Sequence, residues 1–177
     1  MKTQLPKNRL GQAGPVSSVV LVTCVDEAGK ANIITLGMFM SISSNPYMVC
    51  IGVAPERYSH DLIMKQGEFV VNSPGIDLKE KLHLCGIKSG RDIDKFKEIG
   101  LTPLKAQVVK PPLIKECYGH LECRLVSGTP FGDHTLIVGE VVAASIDEEK
   151  LKDGRLDLSK AKPIAQKNWD YHTLDRL

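Results

Sequence analysis

SSVVLVTCVDEAGKANIITLGMFMSIS, Ser17 to Ser43, is the stretch whose reading decides the fold. Its opening, SSVVLVTCV (Ser17 to Val25), is β-branched and apolar with little polar alternation, which predicts a strand covered on both faces. DEAGK (Asp26 to Lys30) is a turn by composition, and ANIITLGMFMSIS returns as a second β-type run, so the two predict a hairpin. Asn45-Pro46 then punctuates before a third apolar run, YMVCIGVA (Tyr47 to Ala54). That run stops at Pro55, and the polar segment PERYSHD leads into a short helix expected from about Ser59 to Gln66. Ser59 stands at the expected N-cap, Asp61 in the first turn, and Gly67 where a left-handed residue ends a helix.

Outward from this core the pattern stays mainly β. EFVVN (Glu68 to Asn72) predicts a strand, and SPGIDLKEKLHLCG a helix with Asp77 and Glu80 as a capping pair and Gly86 as its stop. SGRDIDKFKEIG predicts a second short amphipathic helix, capped by Ser89 with Asp92 and ended by Gly100. AQVVK (Ala106 to Lys110), LIKECYGHLECRLVSG (Leu113 to Gly128) and HTLIVGEVVAASI (His134 to Ile146) read as strands, separated by Pro111-Pro112 and the turn SGTPFGD. Strands and helices do not alternate as βαβ units would. The fold class is therefore mainly β with short helices, an α+β chain built on a closed or nearly closed antiparallel barrel, because closure removes exposed edges. One domain is expected over residues 1–177, with a charged C-terminal tail from about residue 147. Its NWDYH carries the only Trp, Trp169, and suggests an end that docks onto its own or another subunit.

A chain of 177 residues, 42% hydrophobic and 25% charged, has enough apolar material for one core. A net charge of +2 with both signs mixed along the chain offers no basic stripe for a nucleic acid and no cationic face for a membrane. No signal-peptide core and no run near the ~20 apolar residues of a membrane span is present, so a cytoplasmic location is expected. Five cysteines without a CxxC read as buried free thiols rather than as a disulfide framework.

Several chemistries fail on spacing. There is no GxGxxG, and GIKSGRD lacks the Gly-Lys-Ser/Thr of a P-loop. Cys117, His120 and Cys123 in CYGHLEC would point to opposite faces of a strand, so no metal site is expected. Ser59, His60 and Asp61 are adjacent at a helix start and diverge, which argues against a hydrolytic triad. PERYSHD itself keeps two readings: a strand end followed by a capped helix, with Asp61 paired to Arg57, or an anion site built from a helix N-terminus, Arg57 and Ser59. His134, at a strand mouth, reads either as a satisfied surface residue or as a functional one.

Six motifs in order bear on that choice: NIIT (Asn32 to Thr35), SSNP (Ser43 to Pro46), PERYS (Pro55 to Ser59), EFVVN, CGIKSGRDIDKF (Cys85 to Phe96) and GDHTLIVGEV (Gly132 to Val141). Together, over roughly residues 14 to 146, they resemble the flavin reductase-like family with the FMN-binding split barrel, in particular its flavoredoxin-type members. The resemblance implies a homodimer with FMN near the subunit interface. It implies that Arg57 and Ser59 hold the flavin phosphate, and that Asn32, Thr35, Leu36, Gly37, Met38 and Phe39 lie along the ring and ribityl chain. Ser89, Gly90, Asp94 and Lys95 resemble the family loop that closes over the cofactor. His134 resembles the family histidine near the flavin face, where a nicotinamide or an electron partner approaches. Relatives often carry a Trp after N-x-x-T; here Met38 and Phe39 stand there. The activity implied is electron transfer from NAD(P)H or a ferredoxin-like donor through FMN to a flavin, a ferric complex or a protein. The alternatives are an electron carrier without its own NAD(P)H turnover, and a barrel without cofactor.

Overall fold

The computed structural model describes residues 2–168 and 170–173. In chain order the strands and α-helices are β1 (Ser17–Ser18), β2 (Val20–Val25), β3 (Ala31–Leu36), β4 (Phe39–Ser44), β5 (Tyr47–Val53), α1 (Tyr58–Gln66) and β6 (Glu68–Ser73). Then come α2 (Lys79–Ile87), α3 (Lys95–Ile99), β7 (Pro103–Leu104), β8 (Leu113–Ile114), β9 (Gly119–Phe131) and β10 (His134–Ile146). The tail adds β11 (Leu151–Lys152), β12 (Arg155–Leu156), α4 (Leu158–Ala161), β13 (Ile164–Lys167) and β14 (Asp170–Thr173).

Seven strands form one antiparallel sheet in the order β3-β2-β6-β9-β10-β5-β4. It wraps a core drawn from six of them, with Val22, Ile34, Ile51, Phe69, Cys123 and Ile137 in one cluster that Leu62 and Ile63 of α1 join. The lack of alternation in β2 now has its cause. Val20, Val22 and Cys24 face that inner core, while Val19 and Leu21 face a second cluster with Leu82, Cys85, Phe96 and Ile164 from the helices and the tail. Both faces are covered, so both are apolar.

Two strand registers set the geometry around α1. Val25 pairs with Ala31 in the expected hairpin. Val53 pairs with Thr135, which sets the start of β10, and so His134, beside the end of β5 where the chain turns into α1.

Some local expectations give way to tertiary partners. Ala106 to Lys110 is not a strand: the amides of Gln107, Val108 and Val109 donate to the buried Glu122 carboxylate at 2.9, 2.6 and 3.2 Å, and that of Lys110 to Glu68 at 2.9 Å. A carboxylate has replaced a ladder as the acceptor. The expected Leu113 to Gly128 strand is broken at Lys115 to Tyr118, and β9 runs on through Phe131, leaving only Gly132-Asp133 as the turn. Gly86 lies inside α2, which has no side-chain cap, instead of ending it. Ser89 does not cap α3; Asp94 does, accepting from the Lys97 amide at 3.2 Å. Helix α1 begins one residue early, with Arg57 rather than Ser59 at the N-cap.

The tail docks on its own chain. Strand β13 pairs with β1, Ser17 facing Gln166, and β14 pairs with β13. Trp169 lies outside the described residues. All five cysteines are free and buried, and no helix among the described residues is long and apolar enough to cross a membrane.

Candidate functional site

A narrow cleft of about 180 Å³ opens where β3, the start of α1 and the turn after α2 meet, lined among others by Asn32, Arg57, Ser59, Gly90, Arg91 and Lys95. A wider cleft of about 540 Å³ lies beside it, lined among others by Thr35, Gly37, Met38, Ala54, His134 and Gln166. Ile34, Arg57 and Gly86 line both, so the two are one groove.

At the narrow end the groups suit an anion. Arg57 is the N-cap of the nine-residue α1, and no side chain caps that end, where Asp61 stands in the first turn and the His60 amide donates to the Arg57 carbonyl at 2.9 Å. The expected pairing of Arg57 with Asp61 is not made. Asp61 lies 3.7 Å from Arg91 and 3.5 Å from His60, whereas the nearest carboxylate to Arg57 is that of Glu56, at 3.9 Å. Such an exposed pair contributes little, and the Arg57 side chain stays 57% exposed. Arg91 donates to the Glu56 carbonyl at 3.3 Å and stacks 5.1 Å from the Tyr58 ring centre, which holds a second cation at this end.

Beneath these groups the floor is polar but tightly bound. Asn32 Nδ2 donates to Ser59 Oγ at 2.8 Å, while Asn32 Oδ1 is buried with no partner. A buried acceptor of this kind costs stability unless a donor reaches it. Gly90 makes room for it, since a Cβ there would overlap Asn32 Oδ1. Lys95 is 4% exposed, and its Nζ donates to the carbonyls of Ile33 and Cys85, each at 2.6 Å. Burial pushes its pKa down, with Cys85 opposing. Lys95 thus fastens β3 to α2 with a positive charge under the cleft. Burial pushes the nearby Cys24 thiol up to about 12, with the polar Ser59 and Asn32 side chains opposing, so no thiolate competes there.

The wider end is flatter and less charged. Thr35 lines it but donates its hydroxyl proton to the Leu82 carbonyl at 2.6 Å, fixing α2. Leu36 lines it too, although its side chain is buried in the inner core. His134 Nδ1 lies 2.7 Å from Asp133 Oδ1, and the ring is 29% exposed. This hydrogen bond holds the Asp133 carboxyl below its ordinary value. His60 Nε2, 2.9 Å from Thr135 Oγ1, fastens α1 to the residue after His134.

Of the residues expected from sequence, Asn32, Arg57, Ser59, Ser89, Gly90 and Lys95 line the narrow end, and Thr35, Leu36, Gly37, Met38 and His134 the wide one. Two lie elsewhere. Phe39 packs against the inner core, because side chains alternate along the chain and Met38 takes the cleft side. Asp94 is spent on capping α3 and lines neither part. Arg91, Gly86 and Gln166 were missed. Arg91 sits inside SGRDIDKF and could have been found there; nothing local marks Gln166, 149 positions from Ser17, its strand partner. Among the described residues no group of three His, Cys, Asp or Glu could hold a metal. His120 of CYGHLEC instead bonds Ser145 and the Ile114 carbonyl.

This groove and its barrel have known counterparts. The sequence matches the flavin reductase like domain over residues 15–171. An uncharacterized protein of Archaeoglobus fulgidus is 35% identical over 152 residues, covering 86% of this chain and 84% of that one. A flavin reductase of Pseudomonas putida is 29% identical over 133 residues, 75% of each chain. The flavoredoxin of Desulfovibrio vulgaris (Miyazaki F) superposes with a TM-score of 0.91 at 25% identity, over 100% of this chain and 95% of that one. Barrel, groove and tail strand β13 all fall inside the matched region, and the chain belongs to the flavin reductase-like family of split-barrel flavoproteins.

Proposed function

We propose that the protein is an FMN-dependent oxidoreductase, passing electrons from NAD(P)H or a protein donor through FMN to a flavin, a ferric complex or a protein acceptor. The observation that carries this reading is the continuity of the groove through Arg57, from a helix N-terminus with two cations to the wide end at His134. The residues present fit the group. Arg57 and Ser59 would hold the phosphate at the N-terminus of α1, with Arg91 beside them, while Asn32 and Thr35 to Met38 would line the ribityl chain and the ring. Bound FMN supplies hydride and single-electron chemistry. In this reading His134, which lines the wide end with its ring 2.7 Å from Asp133, would meet an approaching nicotinamide or electron partner.

Exposed apolar residues on β4, just before it and at the start of β5, Met40, Ile42, Met38 and Tyr47, support a homodimer that covers this side of the sheet. Five unpaired thiols fit a reducing, cytoplasmic setting. A single domain over 1–177, its tail included, fits the pairing of β13 with β1. The likeness to flavoredoxin favours a second reading, an FMN electron carrier without NAD(P)H turnover of its own.

The test is the visible spectrum of the purified protein after FMN is added and the excess removed, followed by anaerobic reduction with NADH and NADPH. Retained flavin reduced within the mixing time by a nicotinamide supports the enzyme. Retained flavin reduced only by a ferredoxin-like donor supports the carrier. An equilibrium fluorescence titration without any binding would remove both.

A further inference from the structure

Strand β13 delivers one side chain to the groove from a part of the chain that no site motif includes. Gln166 lines the wide end together with Ser17, Gly37 and His134. Its carboxamide lies against Gly37: a Cβ at residue 37 would overlap Gln166 Nε2 and stand 3.6 Å from Ser17 Oγ. A side chain at 37 would push this carboxamide aside.

The tail is fixed where it makes this contact. Gln166 pairs with Ser17 across β1 and β13, and its neighbour Ala165 is buried. On the other side, Lys167 Nζ donates to the carbonyls of Gly11 and Gly14, tying the tail to the N-terminal segment. The Gln166 backbone is thus anchored on both sides, and little ordering is left for a ligand to impose.

The two ends of the groove differ in chemistry. The narrow end carries the cations, Arg57 and Arg91, which suit a phosphate. The wide end carries a neutral carboxamide with both a donor and an acceptor, which matches the alternating C=O and N–H groups along the edge of a planar heterocycle. From this juxtaposition we infer that Gln166 is a ring-recognition residue, hydrogen-bonding the pyrimidine-type edge of the flavin and making the C-terminal tail part of the binding site. The inference rests on the flavin reading above.

The experiment compares FMN with riboflavin, which has the ring and no phosphate, by fluorescence titration of the full-length protein. Wild type, Gln166→Leu, Gln166→Glu and Arg57→Ala are titrated, each first checked for wild-type thermal unfolding. Gln166→Leu is expected to weaken FMN and riboflavin by the same factor, roughly tenfold, the scale of one lost hydrogen bond. Arg57→Ala should weaken FMN alone. Gln166→Glu keeps the shape and loses the amide donor, so it should also weaken both flavins equally and alter the bound flavin's visible band. If wild type binds flavin but the Gln166 variants match it for both ligands, or lose only FMN, Gln166 does not read the ring. If wild type binds neither flavin, the functional reading fails first and the role of Gln166 with it.

Discussion

The inner barrel and the groove are both close-packed, and they use that closeness differently. In the barrel, Gly139 admits the Phe69 ring, where a Cβ would lie 2.5 Å from Cζ. Phe69 is 0% exposed and surrounded by apolar partners. At the groove, Gly90 leaves room for Asn32 Oδ1, a buried acceptor without a partner. The first contact is complete, and its yield is stability. The second is incomplete, and it leaves a buried acceptor unsatisfied at a cost in stability. One glycine therefore admits an apolar ring and the other a polar atom beside a cleft, a distinction that composition does not reveal.

The largest expected effect is alkaline unfolding of the fold as a whole, through thiols of the inner barrel and of the helix layer beside the cleft. Burial pushes Cys24 and Cys123 up to about 12 and Cys85 up to about 11, from 9.0. The folded state keeps these protons after the unfolded chain has lost them, so stability is fully present below about pH 9 and falls as pH rises. Each thiol removes about 1.4 kcal/mol per pH unit in that window. Three together approach the roughly 5–15 kcal/mol of a whole domain. Lys95, lowered by its own burial from 10.5, offsets part of the loss until it too has deprotonated in the unfolded chain. Urea midpoints that stay flat from pH 9 to 11 would show that the thiols are not shielded as the packing requires.

Next in size, Phe69→Ala should cost about 3–5 kcal/mol in urea unfolding, the range for a large core aromatic. Flavin affinity at a temperature where the variant is folded should be unchanged, because Phe69 lines neither part of the groove. A matching loss of affinity would mean that barrel and groove are not separable.

On the groove side, Arg57→Ala is expected to weaken FMN by roughly 1.5–3 kcal/mol, the scale of a charge-assisted hydrogen bond. It should leave thermal stability alone, since the side chain is 57% exposed and paired only loosely with Glu56. Unchanged FMN affinity by titration would break the phosphate assignment. The smallest effect is local: His134→Ala should keep FMN bound and slow single-turnover reduction by the nicotinamide about tenfold, near 1.4 kcal/mol in the barrier. Stopped-flow traces that overlay wild type would take His134 out of electron delivery.

Much of this was legible in the chain, where neighbours in sequence carry the information. The hairpin of β2 and β3 follows from apolar runs around DEAGK, and the start of α1 from PERYSHD. Arg57, Ser59 and Asn32, which line one cleft, could be singled out because each sits in a short motif at the end or edge of a predicted element. Ala106 to Lys110 was misread because its β-type composition says nothing of Glu122, the distant carboxylate that takes its amides. Phe39 was misplaced because adjacent side chains on extended backbone diverge, and only packing decides which of Met38 and Phe39 turns inward. The sequence by itself determined the hairpin strands β2 and β3, the strands β5 and β6 and the cation at the helix start, since these depend on local sterics and side-chain chemistry. Tertiary structure alone decided that Asp61 goes to Arg91 and leaves Arg57 to the groove. It also decided that Gln166, from the far end of the chain, completes the wide end beside Gly37. Those choices depend on distances between segments that the backbone register fixes and no local pattern records.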